Sequence, residues 1–443
     1  MLRTFDVSSL LAKSYGIASV ERYESVISRV RQIVMAIIND GGDARIVGGA
    51  VRSILTDSYP VHDIDIASSL SPDDNVAAIK KWDSSTKIIM SGVKYGTISL
   101  LYNGEIFEIT SLREDQDCDG RHASVIYGSD WSVDAHRRDF TINAMSIDIN
   151  GKLYDYCDGL SDLNNGIVRF INDPEVRISE DYLRILRYFR FLCYYGVDAA
   201  DADTLNTISK LSNNISNLSS ERIRSELWKI LSCVNATAVL QLMCTSKVMD
   251  AILHYLALPV DCVIRARFMK NEPLLNFVAL LSLCKCNDSN LLKLKEDGLL
   301  LKKEYSCAKK MLALLRGECV GYSEYNGEFT KLVDAVMNTV DVALDKHMQL
   351  SYLIGHYEYT AFIKLCSILE RGNFNGEDRM EYYFSCSRGM HDDKMKCPVD
   401  GHDLKNNVVD KRDIKYSLGE LRLRWVLSNF TLSRDDLLAY NSR

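Results

Sequence analysis

Two aspartates separated by a single residue are the clearest candidates for chemistry in this sequence. Asp63 and Asp65 lie in the segment HDIDI. Alternate residues of a β-strand point to the same face, so the two carboxylates would project together while Ile64 and Ile66 pack into the core. Neighbouring carboxylates raise each other's pKa unless a cation neutralises them, and oxygen ligands suit Mg²⁺. The pattern predicts a Mg²⁺ site for phosphate chemistry, and the alternative is a solvated surface pair.

A glycine pair shortly before these aspartates predicts a phosphate-binding turn. An apolar strand runs into Gly48-Gly49, and a helix would follow with Arg52 in its first turn. Glycine lets a backbone approach a ligand closely, and a helix N-terminus favours phosphate oxygens. Arg52 would add a bidentate donor. Two adjacent glycines alone indicate no more than a tight turn, but their position just ahead of the aspartates favours the functional interpretation.

A third carboxylate could come from a neighbouring strand with the sequence EIFEIT. The period of two places Glu108 on one face and Phe107 and Ile109 on the other. We therefore expect Glu108 to complete the metal site, with a simple surface glutamate as the alternative.

Two later segments combine arginine with acidic and amide side chains. In RRDFTIN, arginine suits phosphate and Asp or Asn suits ribose hydroxyls, whereas a surface ion pair is the alternative. These candidates are Arg137, Arg138, Asp139 and Asn143. The segment EDYLRILRYFR reads as a helix on which residues three apart touch, and an Asp–Arg pair can read a base edge. Its candidates are Glu180, Asp181, Arg184, Arg187 and Arg190, and for a single pair the alternative is an intrahelical salt bridge.

The elements that position these residues change character near residue 165. Before it, short β-rich runs and a turn at Asn103-Gly104 predict a sheet flanked by helices. After it, helical periodicity predominates. The fold class is therefore α+β, a mixed head followed by an all-α remainder. The predicted strands are 44–47, 64–67, 96–102 and 105–112, and the predicted helices are 19–39, 73–82, 178–195, 220–231 and 235–256.

Composition excludes several classes of protein. The chain has 443 residues, of which 47% are hydrophobic and 26% charged, which excludes a disordered polymer. Its net charge of -7 disfavours a polybasic coat on nucleic acid, although a local basic groove stays possible. The 13 cysteines are scattered without a C-x-x-C pair, as is typical of reduced cytoplasmic thiols. With no signal-like or membrane-spanning apolar run, we expect a cytoplasmic protein without a stable protein partner.

Taken in order, these segments resemble the family of class II tRNA nucleotidyltransferases and bacterial poly(A) polymerases. The resemblance covers about residues 46–231 and is most specific in RRDFTINAM and EDYLRILRYFR. It implies a polymerase-β-like head followed by an all-α neck, body and tail. The corresponding ranges are 1–165, 166–232, 233–370 and 371–443.

The resemblance also implies an activity, the addition of CCA to tRNA 3′ ends from CTP and ATP without a nucleic-acid template, releasing pyrophosphate. Asp63 and Asp65 would hold two Mg²⁺ ions. The other residues would bind the nucleotide: Gly49 and Arg52 at the phosphates, Arg138 and Asp139 near the sugar and triphosphate, Asp181 and Arg184 at the base, and Arg187 and Arg190 around them. A loop at 117–132 would switch the enzyme from CTP to ATP, and residues 157–163 would form a hinge.

Departures from the family pattern leave rival functions open. Ser53 stands where the family usually has Asp, and the linker TDSYP lacks the customary Gly. The nearest rival is a bacterial poly(A) polymerase, which the absence of a basic C-terminal extension disfavours. A partial enzyme that adds only CC or only A is a second rival. A non-catalytic tRNA-binding protein is a third, disfavoured by retention of Asp63, Asp65, Asp181 and Arg184.

Overall fold

The computed structural model describes residues 2–58, 61, 64–116, 124–256, 268–316, 349–350, 356–368, 397–400 and 430–441, with isolated residues between these ranges. His62, Asp63 and residues 117–123 of the predicted switching loop lie outside the described residues. The chain divides into two compact units, Met1–Leu211 and Ser212–Arg443. The predicted limits of head, neck, body and tail stay predictions.

The first unit is built on an eight-stranded sheet with the order β1-β10-β9-β2-β3-β6-β5-β4, and a two-stranded ribbon of β7 and β8 stands beside it. All pairs are antiparallel except β3 with β6, which run parallel. The strands are β1 Arg3–Asp6, β2 Ala44–Val47, β3 Asp65–Ser68, β4 Lys87–Ile89, β5 Thr97–Tyr102, β6 Glu105–Ser111, β7 Arg113–Gln116, β8 Ser124–Tyr127, β9 Ser146–Ile147 and β10 Lys152–Asp155.

The helices of this unit are α1 Val7–Tyr15, α2 Ile17–Asn39, α3 Gly49–Leu55, α4 Pro72–Trp82, α5 Trp131–His136, α6 Gly159–Asn164, α7 Pro174–Glu180, α8 Leu183–Tyr195 and α9 Ala202–Leu211. Helices α2 and α4 pack on each other and on the sheet, so the apolar stripe of α2, including Val30 and Ile33, is fully buried. Asp130 and Asp173 accept backbone N–H groups at the starts of α5 and α7, as N-cap residues do.

The predicted hairpin and strand alternation are confirmed. Asn103 and Gly104 both have positive φ, 50° and 81°, as a two-residue hairpin turn requires. Phe107 and Ile109 are buried, while Glu108 between them is exposed. The four predicted strands match β2, β3, β5 and β6 to within a residue at each end.

Two segments that are each predicted as one continuous helix are interrupted in the structure. The helix expected over 178–195 breaks at Asp181, whose backbone is extended with φ −156° and ψ 105°. The Asp181 carboxylate accepts the N–H of Leu183, because aspartate competes with the helical hydrogen bonds of its own neighbourhood. The helix expected over 235–256 likewise divides, with Lys247 in the left-handed region at φ 60°.

The elements described in the second unit are helices. They are α10 Ser220–Leu231, α11 Ala236–Thr245, α12 Val248–Ile252, α13 Pro273–Leu283, α14 Asp288–Glu296, α15 Lys302–Leu315, α16 His356–Ile368 and α17 Arg434–Asn441. Helix α13 is the centre of this unit and packs on α10, α15 and α16. Of the helices described in either unit, none has the length and apolar character needed to cross a membrane.

Candidate active site

Asp65 opens strand β3, which lies between β2 and β6 in the main sheet. Its register partners are Val47 on β2 and Glu108 on β6. Residues in register on adjacent strands point to the same face of a sheet, so the partly buried Asp65 and the exposed Glu108 lie side by side on one face. The expected placement of Glu108 beside Asp65 is therefore confirmed, and its role as a metal ligand stays a prediction.

Gly48 turns the chain from β2 into α3 directly over Asp65. Its φ of 68° and ψ of −130° suit glycine. A Cβ at this position would lie 3.4 Å from Asp65 Oδ2 and 4.0 Å from Arg138 Nη1. The turn therefore brings bare backbone close to a carboxylate and a guanidinium, and its predicted binding of phosphate stays a prediction.

The oxygen ligands around Asp65 suit a hard divalent cation. Asp65 and Glu108 contribute carboxylate oxygens from adjacent strands, and Gly48 keeps the space beside Asp65 Oδ2 clear of a side chain. Within the described part of the chain no three His, Cys, Asp or Glu side chains cluster as a metal site, and the predicted ligand Asp63 lies outside that part.

Arg52, the fourth residue of α3, lies in an aromatic and amide environment. Its Nη1 donates to Asn143 Oδ1, and its guanidinium lies 4.8 Å from the centre of the Phe191 ring. Burial lowers the pKa of Arg52 from its ordinary value and raises that of Tyr195, which hydrogen-bonds it. The head helix α3 is thus joined to α8.

Asp139 is a buried carboxylate bound on both oxygens by protein donors. Oδ1 accepts from Phe140 N at 2.9 Å and Asn143 Nδ2 at 2.7 Å, and Oδ2 accepts from Arg187 Nε at 2.6 Å. Burial disfavours its charge, but Arg187 and these hydrogen bonds hold the pKa of Asp139 below its ordinary value. Asn143 therefore links Arg52 to the Asp139–Arg187 pair.

Asp134, which the sequence analysis did not single out, holds both arginines of the RRD segment. Its two oxygens pair with Arg137 at 2.5 Å and Arg138 at 2.9 Å, at helical spacings of three and four residues. Although burial opposes its ionisation, the two arginines hold the pKa of Asp134 below its ordinary value. That spacing, visible in the sequence, could have identified it.

Helices α7 and α8 are hydrogen-bonded to the RRD segment, residues 137–139. Glu180 Oε2 accepts from Arg177 at 2.5 Å and from Arg184 at 2.7 Å, and Arg184 also donates to the carbonyl of Arg177 at 2.8 Å. Arg177 in turn donates to the backbone carbonyls of Arg137 and Arg138. Arg177 was missed because nothing in its sequence context separates it from a surface arginine.

The expected row of Asp181, Arg184 and Arg187 on one helix is wrong. Asp181 lies in the break between α7 and α8, so only the two arginines share a helix. Arg187 faces Asp139, and Arg190 lies 5.0 Å from the centre of the Phe191 ring. A hydrogen bond of 3.5 Å from Arg138 Nη1 to the carbonyl of Asn143 joins the contacts given above. The described structure thus brings together Gly48, Arg52, Asp65, Arg138, Asp139, Asn143 and Arg187.

Arg45 is a further residue that sequence reasoning missed. Its buried guanidinium lies between two rings, 3.9 Å from the centre of Trp131 and 3.8 Å from that of Tyr154. Trp131 begins α5, which carries Asp134, and Arg137 directly follows the end of this helix. This stack therefore fixes α5 against the sheet.

We predict that the Asp134 ion pairs stabilise the fold at neutral pH and are lost in acid. Because its folded pKa lies below the unfolded value of about 4, the stabilisation is complete above that value and disappears as pH falls through the folded pKa. The melting temperatures of wild type and Asp134→Asn should differ by a constant amount between pH 5 and 8. The difference should shrink below about pH 4. A difference that instead grew in acid would contradict the assignment.

Comparisons with known proteins agree on one family. Residues 44–169 match the model described as "Poly A polymerase head domain", and residues 200–258 match "Probable RNA and SrmB- binding site of polymerase A". The chain is 31% identical over 413 residues to CCA tRNA nucleotidyltransferase 1, mitochondrial, of Danio rerio, covering 90% of this chain and 86% of that one. It is 36% identical to the CCA-adding enzyme of Staphylococcus epidermidis over 229 residues, which is 51% of this chain and 55% of the relative.

Solved structures share the fold. The CCA-adding enzyme of Bacillus stearothermophilus in complex with CTP superposes with a TM-score of 0.70 at 22% identity, over 94% of this chain and 97% of that one. The Thermotoga maritima CCA-adding enzyme complexed with tRNA superposes with a TM-score of 0.64 at 17% identity, over 99% and 98% of the two chains.

Proposed function

The chain belongs to the family of CCA tRNA nucleotidyltransferases, and we propose that it adds C, C and A to the 3′ end of tRNA from CTP and ATP, releasing pyrophosphate. The observation that carries this proposal is the similarity to the zebrafish enzyme over 90% of the chain. The contacts among the residues of the first unit support it, because they bring Arg138, Gly48 and the acidic side chains of Asp65 and Glu108 together around the start of β3.

The triphosphate would lie along the turn at Gly48 and Gly49. Backbone N–H groups at the start of α3 would donate to phosphate oxygens, and Arg138 beside Gly48 would add a cation. Arg52 is held by Asn143 and Phe191, so its guanidinium is ordered before a nucleotide arrives. Preordered donors lose less freedom when the ligand binds, and they stabilise charge that develops on the leaving pyrophosphate.

Asp65, Glu108 and Asp63 are the residues that would hold Mg²⁺. A bound divalent ion neutralises phosphate charge and lowers the pKa of an attacking hydroxyl. The carboxylates themselves would orient the tRNA 3′-OH for in-line attack on the α-phosphate. No side chain needs to become covalent in such a transfer.

Base selection is proposed for the Asp181 and Arg184 pair. Arg184 is held by Glu180 and the carbonyl of Arg177, which fixes the direction of its guanidinium fork. Asp181 lies in the non-helical break just before α8, where its backbone carbonyl accepts the N–H of Arg184 at 3.0 Å. The Asp181 carboxylate would accept hydrogen bonds and the Arg184 guanidinium would donate them, so together they could distinguish the base edges of C and A from those of G and U.

We predict that Arg184→Ala relaxes nucleotide selectivity. A bidentate base contact discriminates by about 1–3 kcal/mol, so the preference for CTP over UTP in kcat/KM should fall roughly 5- to 150-fold. Arg184→Lys separates charge from geometry. It keeps the positive charge but lacks the guanidinium fork, so it should lose selectivity as well. If both variants retain wild-type selectivity in competition assays with mixed nucleotides, Arg184 does not read the base.

The function is tested by extension of three labelled tRNAs that end before CCA, after C and after CC. Each is incubated with Mg²⁺ and CTP, ATP or both, and products are resolved to the nucleotide. Clean arrest at CCA is expected. Arrest at CC, or a single A added only to the CC-ended tRNA, would indicate a partial enzyme. A long A ladder would indicate a poly(A) polymerase, and the absence of product would favour a tRNA-binding protein.

The neck, body and tail are proposed to hold the tRNA acceptor and TΨC arms through phosphate contacts, which should weaken as salt rises. The cytoplasmic location inferred from the cysteines also stays a proposal. The zebrafish and human relatives are named mitochondrial. Fractionation of cells that express the chain with a C-terminal epitope would decide between the two compartments.

A further inference from the structure

An apolar strip faces solvent at one end of the main sheet. Leu101 on β5 and Ile106 on β6 are register partners, and they are 40% and 58% exposed. Ile89 on the neighbouring edge strand β4 is 37% exposed. We call these three residues the outer strip. Large apolar side chains grouped on an open sheet face commonly mark a binding surface.

The outer strip lies on the same face of the sheet as the acidic pair. Ser99 on β5 is the register partner of both Ile89 and Glu108, and Glu108 in turn lies beside Asp65. Alternation along β6 places Ile106 on the face of Glu108, two residues or about 7 Å away. The intervening Phe107, with Leu100 opposite it, is buried on the other face. The strip therefore continues the surface that carries the carboxylates.

The geometry of nucleotidyl transfer assigns a different substrate to each side of Asp65. In an in-line displacement, the attacking and leaving oxygens lie on opposite sides of the phosphorus. The leaving pyrophosphate belongs with Gly48 and Arg138, on the β2 side of Asp65. With the α-phosphate proposed beside Asp65, the attacking 3′-OH would approach from the β6 side, where the outer strip lies.

We infer that the outer strip is the platform on which the 3′-terminal base of the RNA lies during transfer, an inference that rests on the proposed function. Base faces are largely apolar and gain by leaving water, whereas aliphatic side chains offer no group that reads a base edge. Such a platform suits a substrate whose last nucleotide changes after each addition. Lys87, exposed and in register with Leu101, provides positive charge for the adjoining phosphate.

The inference is tested with the double variant Leu101→Thr/Ile106→Thr, which removes the apolar surface and places threonine, a residue that strands favour, at both positions. The substrate is an acceptor-stem minihelix that ends before CCA, so that contacts to the tRNA body do not mask the effect. The KM for the minihelix should rise roughly 5- to 10-fold, as expected for lost apolar burial, while the KM for CTP stays within about twofold. Ile17→Thr is the matched control, because Ile17 is 75% exposed but lies on α2 outside the strip, and it should change neither constant.

Three results would overturn the inference: both KM values unchanged, a raised KM for CTP alone, or an equal effect of Ile17→Thr. Photo-crosslinking on the unmodified enzyme does not depend on how the variants fold. A minihelix whose last nucleotide is 4-thiouridine should crosslink to β5 or β6, and crosslinks confined to α8 would also overturn it. If the wild type adds no CCA, the proposed function fails instead, which distinguishes the two failures.

Discussion

Asp65→Asn is expected to lower kcat for C addition roughly 1,000-fold, which corresponds to about 4 kcal/mol of lost transition-state stabilisation. The substitution keeps the shape of the side chain but removes the negative charge that would hold a divalent ion beside Glu108. The KM for tRNA should change little, because the body of the RNA is proposed to bind the neck, body and tail. Single-turnover extension of a tRNA that ends before CCA measures the effect.

Asp40→Asn is the matched control for this experiment. Asp40 pairs with Lys81 at the surface, at the end of α2, so losing its charge should leave kcat within about twofold. Both variants should melt at nearly the wild-type temperature. Wild-type turnover by Asp65→Asn in Mg²⁺ would show that this carboxylate does not take part in catalysis.

Asp139→Asn is expected to destabilise the first unit by about 3 kcal/mol. The substitution leaves the Arg187 guanidinium, whose side chain is 32% exposed, beside a neutral amide at the buried position 139, and one of the hydrogen bonds to that residue is lost or weakened. For a unit of about 200 residues this corresponds to a drop in melting temperature of roughly 6–12 °C. Calorimetry of the full chain, wild type against variant, measures it.

Asp158→Asn provides the comparison for a solvent-exposed pair. Asp158 pairs with Arg3 where both side chains are more than half exposed, and its φ of 60° suits asparagine. Breaking that pair should cost less than about 1 kcal/mol.

Adding Arg187→Gln to Asp139→Asn should recover part of the lost stability, because no uncompensated charge remains. Equal melting temperatures for Asp139→Asn and Asp158→Asn would mean that burial adds nothing to the Asp139–Arg187 pair.

Much of the local structure could be predicted from the sequence, because its causes are local. Alternation of side chains along β6 separates Glu108 from Phe107, and the Asn103-Gly104 turn needs only positive φ at two residues. The chemical types of the site residues are equally a property of the sequence. The continuous helix through Asp181 failed because periodicity does not register a side chain that takes over a backbone N–H.

The sequence by itself determined which residues could bind phosphate and metal and which segments would be strands. Tertiary structure decided which of them meet. The parallel pairing of β3 with β6 sets Glu108 beside Asp65, and Arg187 reaches Asp139 across 48 residues of chain. Arg177 acquires its role in the same way, by donating to the backbone carbonyls of Arg137 and Arg138. Such contacts depend on the packing of whole elements around a common core, a balance of burial and chain entropy that no short window of sequence contains.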